Sequence, residues 1–150
     1  MTVIIDADAC PVTGICEKIC REKGIAVIAV CDTSHIINSD YMEIKVVDKG
    51  SGSADIAIVN LCKKGDIVIT QDYGVASMAL GKGSYVIHQS GMEYTHQNIE
   101  NLMEMRHIAS EFRRKNSKHH LKGPKKRTKE DDERFISSFL AVLKKASENT

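Results

Sequence analysis

The chain has 150 residues, 42% of them hydrophobic and 27% charged, which is the make-up of one ordinary globular domain and excludes wholesale disorder. No apolar run reaches the ~18–20 residues of a membrane span. The formal net charge of +1, from 21 Lys+Arg against 20 Asp+Glu, speaks at first sight against a polyanionic partner. Thr2–Ile5 is a short β-branched run closed by Asp6 and reads as a buried strand. Pro11 fits the first turn of a helix, where its missing N–H costs nothing. Ile15, Cys16, Ile19 and Cys20 recur at helical spacing, and Gly24 ends that helix. Ile25–Val30 is an unbroken apolar run, as expected for a strand covered on both faces. Glu43–Val47 is a third strand. Gly50-Ser51-Gly52-Ser53 is a turn offering a serine cap to an apolar helix over Ala54–Lys64, which Gly65 ends. Ile67–Thr70 is a fourth strand, Val75–Leu80 a short helix and Ser84–His88 a fifth strand. This alternation predicts an α/β fold with a mostly parallel five-stranded sheet and helices on both faces.

Beyond residue 94 the pattern turns helical. Thr95–Lys115 carries the stripe Leu102, Met105, Ile108, Ala109, Phe112, and Asp132–Ala146 carries Phe135, Ile136, Phe139, Leu140, Leu143. Asn116–Lys129, with Gly123-Pro124, reads as a basic loop between these two C-terminal helices. The expectation is one domain over 1–150: an α/β core over 1–94 and a helical extension over 95–150, whose last helix packs back on the core. The start of the chain shows no basic leader, and the five cysteines form no Cys-x-x-Cys pair and no zinc spacing. Reduced thiols in a cytoplasmic protein are expected.

The charge is unevenly laid out. Residues 1–105 hold 8 basic and 14 acidic side chains, residues 106–129 hold 10 basic and 1 acidic, and residues 130–150 hold 3 basic and 5 acidic. Arg113, Arg114, Lys115, Lys118, Lys122, Lys125, Lys126 and Arg127 fall in one short stretch. Such residues grip phosphate backbones, although a solvated face has the same composition. The same charge could dock on the acidic core, within one chain or between copies. No aromatic residue lies between Phe112 and Phe135, so a base-stacking platform is not expected there.

Asp6 and Asp8 stand at the carboxyl end of the first strand, the edge where open α/β sheets bind ligands. Asp72 stands just past the fourth strand, and Asp55 in the first turn of the helix before it. Neighbouring parallel strands would bring all four to one edge. Each has an ordinary reading on its own, as a turn residue, a helix cap or a partner of the helix dipole. Together they would repel one another unless a cation joins them, and hard oxygen ligands suit Mg²⁺ or Mn²⁺. Asp66 lies about 20 Å from Asp72 along an extended strand, at ~3.3 Å per residue, and reads as a strand-entry turn residue. Thr70 is placed to orient Asp72 or a water. Asn98 is read as a simple cap or, alternatively, a contact to a loop or phosphate. Cys10 follows the acids, as a small residue packing a tight turn or as an activated thiol. His119-His120, beside lysines, reads as a solvated tract, and His88 could reach the sheet edge.

Asp6-Ala7-Asp8-Ala9-Cys10-Pro11 resembles the opening of the YaiI/YqxD family of bacterial proteins. The resemblance continues at Ser53-Ala54-Asp55-Ile56, at Gly65-Asp66-Ile67-Val68-Ile69-Thr70-Gln71-Asp72, at Asn98-Ile99 and at Gly123-Pro124-Lys125-Lys126-Arg127-Thr128, followed by Asp131-Asp132-Glu133-Arg134-Phe135. That family is similar to PIN-like nuclease domains. The resemblance implies a three-layer PIN-like fold and a divalent-metal-dependent nuclease acting on RNA or DNA. Asp6, Asp55 and Asp72 match that superfamily's three acidic places, and Asp8 extends the first. A fourth, later acid has no clear counterpart here, so an inactive binding module is the alternative. Asp6-x-Asp8 also resembles haloacid-dehalogenase-type phosphatases, but Cys10 stands where that motif prefers Thr, and Asp66 and Asp72 bracket the later strand instead of pairing after it.

Overall fold

Six strands run through the middle of the computed structural model, which describes residues 1–50, 52–115 and 125–149. They are β1 (Thr2–Asp6), β2 (Ala26–Asp32), β3 (Glu43–Val47), β4 (Ile67–Ile69), β5 (Tyr85–Ile87) and β6 (Glu93–Tyr94). The helices are α1 (Thr13–Lys23), α2 (Ser53–Leu61), α3 (Tyr73–Gly81), α4 (Ile99–Lys115) and α5 (Lys129–Glu148). The sheet order is β3-β2-β1-β4-β5-β6. β1 to β5 are parallel, and β6 pairs antiparallel with β5. The α/β class and the mostly parallel sheet follow the sequence pattern. The sheet has six strands rather than five, because the two-residue β6 is too short to leave a periodic signal.

The strand order reverses between β1 and β4. Right-handed crossovers running in opposite directions from that point place their helices on opposite faces. One face carries α1 and α5, whose Cys16, Cys20, Phe135, Phe139, Val142, Leu143 and Ala146 pack with Val3, Ile5, Ala29, Ile67 and Ile87. The other carries α2, α3 and the start of α4, through Ile58, Val75, Ala76, Ala79 and Ile99, against Ile4, Val30, Val68 and Val86. Sequential residues of β1 alternate between these two clusters, so its unbroken apolar run reflects a strand covered twice. The last helix does pack on the core, and Phe135 and Phe139 are fully buried with rings 5.4 Å apart. Among the described residues, no helix is long and apolar enough to cross a membrane.

Local chemistry sets the element ends. Gly24 closes α1 at φ 69°, a left-handed conformation that costs glycine nothing. Thr128 and Asp131 form a reciprocal capping box on α5. Two expected starts are corrected. α1 begins at Thr13 with Val12 at its N-cap, so Pro11 precedes the helix. Gly52, at φ 84°, occupies the N-cap of α2 and Ser53 is its first residue, so no serine caps it. α2 also ends at Leu61, before Gly65. Asp66 is the strand-entry residue expected: its carboxylate accepts from the Thr2 and Lys63 amides, each at 2.9 Å. Within the basic segment, Lys118, His119, His120, Lys122, Gly123 and Pro124 lie outside the described residues.

Candidate functional site

The point where strand order reverses is where open α/β sheets leave a crevice at their carboxyl edge. Asp6 ends β1 there, and Thr70-Gln71-Asp72 follows β4 beside it. The Thr70 hydroxyl donates to Asp6 Oδ2 at 2.9 Å and accepts from the Asp72 amide at 3.0 Å. One hydroxyl thus joins both turns: the expectation named Asp72 or a water, and the carboxylate it bonds is that of Asp6. Asp72 also caps α3, its Oδ1 accepting from the Val75 amide at 3.0 Å. Tyr94 donates its hydroxyl to the Thr70 carbonyl at 3.3 Å. This support comes from β6, which the five-strand expectation did not include.

Asp6 is the electrostatic centre. Burial pushes its carboxyl up to about 6, and the carboxylates of Asp55, Asp72 and Asp8 push in the same direction against the hydrogen bond from Thr70. Asp55 is also raised, by burial and then by Asp72. Asp6 thus feels the charge of the other three expected acids, and Asp55 feels that of Asp72.

They are not equivalent. Asp8 turns toward the end of β2, where both its oxygens accept from the Asp32 amide at 3.3 and 3.2 Å. His35 Nδ1 lies 2.9 Å from Asp8 and 3.3 Å from Asp32. Hydrogen bonds from Ser34, with His35 adding to them, hold the Asp32 carboxyl below its usual range. Among the described residues, Asp8, Asp32 and His35 form the group of three ligand-type side chains whose donor atoms all lie within 4.8 Å of one another. Asp32 was legible by the rule that picked Asp6, since it too closes a parallel strand. His35 lies in an unpatterned connection and leaves no sequence signal.

A cleft of about 650 Å³ opens over three of the acids, lined by Asp6, Asp8, Gln71 and Asp72 on one side and by Leu102, Met105, Arg106, Ala109 and Arg113 of α4 on the other; Asp55 does not line it. The middle of α4 is exposed to solvent, because its stripe meets the core only near Ile99 and Leu102. Arg106 and Tyr73, both beside the acids, went unremarked in the sequence. Ala9, in the floor, holds φ 58° and accepts a hydrogen bond from the Gln71 side chain at 3.0 Å. That conformation costs a non-glycine residue ~1 kcal/mol and is held by its surroundings.

The remaining expected residues separate. Cys10 is half-buried against the α1 side of the core, as a small packing residue would be, and its amide donates to the Ala7 carbonyl at 3.2 Å. Asn98 is spent on its own loop: its side chain accepts from the Thr95 amide and donates to the Glu93 carbonyl, each at 2.9 Å. Arg113, Arg114, Lys125 and Lys126 are exposed. Arg127 is not open in the same way. Its guanidinium donates to Asp132 at 2.6 Å and to the Gln89 carbonyl at 3.1 Å, tying the start of α5 to the turn after β5.

These features define an α/β protein with an acidic cleft at the carboxyl edge of a mainly parallel sheet. The sequence profile described as "Uncharacterized BCR, YaiI/YqxD family" matches residues 4–145. A UPF0178 protein of Clostridium acetobutylicum is 53% identical over 143 residues, covering 95% of this chain and 97% of that one. UPF0178 proteins of Alkaliphilus oremlandii and Clostridium novyi are 50% and 43% identical, covering 93% and 100% of this chain. The chain belongs to the YaiI/YqxD family. No solved structure matches it.

Proposed function

We propose that this protein is a PIN-like, divalent-metal-dependent nuclease that hydrolyses phosphodiester bonds of RNA or DNA in the cytoplasm. The observation that carries the reading is the half-buried Asp6 carboxyl, raised by desolvation and by three neighbouring carboxylates at the sheet edge where open α/β sheets bind ligands. A carboxylate cluster of this kind is costly as it stands and becomes favourable with a cation. The donor set of Asp6, Asp55 and Asp72 is all hard oxygen, which fits Mg²⁺ or Mn²⁺. Bound there, the cation would supply Lewis-acid stabilisation of the charge on phosphate oxygens. Thr70 holds Asp6 and the start of the Asp72 turn in fixed orientation. Arg106 and Arg113 face the same cleft and would attract the phosphate backbone that the acids alone repel. The phosphatase reading fares worse, since the Asp66 carboxylate is committed to two backbone amides at the opposite end of β4.

The test is Mn²⁺ binding by calorimetry beside cleavage of a labelled RNA and DNA pool, with Asp6→Asn and Asp72→Asn variants. Wild type should bind Mn²⁺ and cut, and both variants should lose cleavage by at least about a hundredfold. Mn²⁺ binding without cleavage would mark a binding module; equal behaviour of wild type and variants in both assays would remove the metal site.

A further inference from the structure

The cleft carries a second chemistry beside its acids. Tyr73 directly follows Asp72, and its ring stands edge-on to the buried ring of Tyr94, with centroids 5.9 Å apart and planes at 69°. Tyr94 is in turn fixed by its bond to Thr70. The Arg106 guanidinium lies over the Tyr73 ring, 5.7 Å from its centroid. Both side chains line the acidic cleft, with Leu102, Met105 and Ala109 beside them and Arg113 also on the wall. Arg106 is exposed, so its guanidinium plane is available on the side away from Tyr73.

We infer that Tyr73 and Arg106 form a stacking subsite for one unpaired nucleobase next to the bond being cut, which makes the substrate single-stranded nucleic acid. This deepens the nuclease reading and rests on it for the identity of the ligand. The chemistry has three parts. Aromatic rings and arginine planes are the surfaces on which splayed-out bases stack. The apolar Leu102, Met105 and Ala109 add contact area without hydrogen-bond readout, so the subsite tolerates any base. Arg113 supplies a cation for the backbone. A base inside a duplex has both faces covered by its neighbours and cannot occupy such a subsite without being unstacked, which costs a few kcal/mol. A cation held by the acids would place the reacting phosphate, and the Tyr73–Arg106 pair sets the adjacent nucleotide against the wall.

The probe is fluorescence anisotropy in EDTA with a labelled single-stranded oligodeoxyadenylate of about eight nucleotides, against an abasic phosphodiester of the same length and charge. Wild type should bind the intact strand roughly 5- to 150-fold more tightly than the abasic one. Tyr73→Leu and Arg106→Gln should lose that margin, Tyr73→Phe should keep it, and Arg106→Lys should keep salt dependence while losing most of it. Because Arg106 is exposed, its variants report even if Tyr73→Leu folds poorly. Absence of the margin in wild type, its survival in both Tyr73→Leu and Arg106→Gln, or equal binding of a blunt duplex overturns the inference. Binding in EDTA is independent of turnover, so the two readings fail separately. A base-dependent margin without Mn²⁺-dependent cleavage leaves the subsite standing and removes the nuclease. Cleavage lost in Asp6→Asn, with no margin, does the reverse.

Discussion

Replacing Asp6 by Asn should make the metal-free protein more stable near neutral pH and no more stable in mild acid. Folding moves the Asp6 carboxyl from 3.8 up to about 6. An acid raised in this way binds its proton better when folded. Its contribution to stability is present in full below about pH 4 and is lost as pH rises through about 6. Two units correspond to ~3 kcal/mol, which is a ceiling, since Asp55 and Asp72 relax once Asp6 is neutral. A gain of about 1–3 kcal/mol at pH ~7.5 is expected, or roughly 3–10 °C in Tm for a chain of this size. The assay is thermal or urea denaturation in EDTA at several values from about pH 4.5 to 8. Wild type should weaken across that window and the variant should stay nearly flat, so the curves diverge with rising pH. Parallel curves would refute the burial and repulsion assigned to Asp6. Adding Mn²⁺ should then raise wild-type Tm and leave the variant behind; equal rises would mean that the ion is held elsewhere.

Two more outcomes follow from named contacts. Thr70→Val removes the donor to Asp6 and the acceptor of the Asp72 amide, so it should cost ~1–3 kcal/mol and move the pH-dependent loss of stability to higher pH, read by the same denaturation series. Arg127→Gln should destabilise the fold by ~1–3 kcal/mol with little change in the salt slope of nucleic-acid binding, whereas Arg113→Gln should lower that slope by about one and leave Tm unchanged.

The strands and most helices were legible because burial on both faces writes itself as unbroken apolar runs, as at Ile25–Val30, and because Gly24 ends a helix by its conformation, whereas the Thr128 cap starts α5 earlier than the expected Asp132. That Asp6 would feel the charges of Asp55 and Asp72 was legible too, since parallel topology sends such positions to one edge, whereas the donor atoms that come within 4.8 Å of one another, among the described residues, are those of Asp8, Asp32 and His35. What escaped depends on contacts between distant segments. β6 has β5 as its one strand partner, and its Tyr94 is anchored to the distant Thr70. Arg127, read among phosphate-binding cations, is claimed by Asp132 and Gln89, which nothing local announces. His35 reaches Asp8 across a connection without periodicity. Tyr73, outside the expected Val75–Leu80 helix, drew no notice, because the Arg106 that lies over it comes from far along the chain.

The placement of α5 carries a consequence for how the chain is made. α5 packs beneath β4 and β5 through Phe135, Phe139 and Leu143, on the face opposite α3. Those strands are synthesised long before it. Until the ribosome has released residues up to about Ala146, half of the sheet beside the strand-order reversal has no apolar cover, and contacts so remote in sequence form slowly. The nascent chain would therefore carry β1 and β4 side by side, with the acids in register but the underside bare. During that interval an apolar surface is exposed that the finished fold covers. The arrangement also means that the acidic edge rests on a fully closed core only once translation has passed the basic stretch itself.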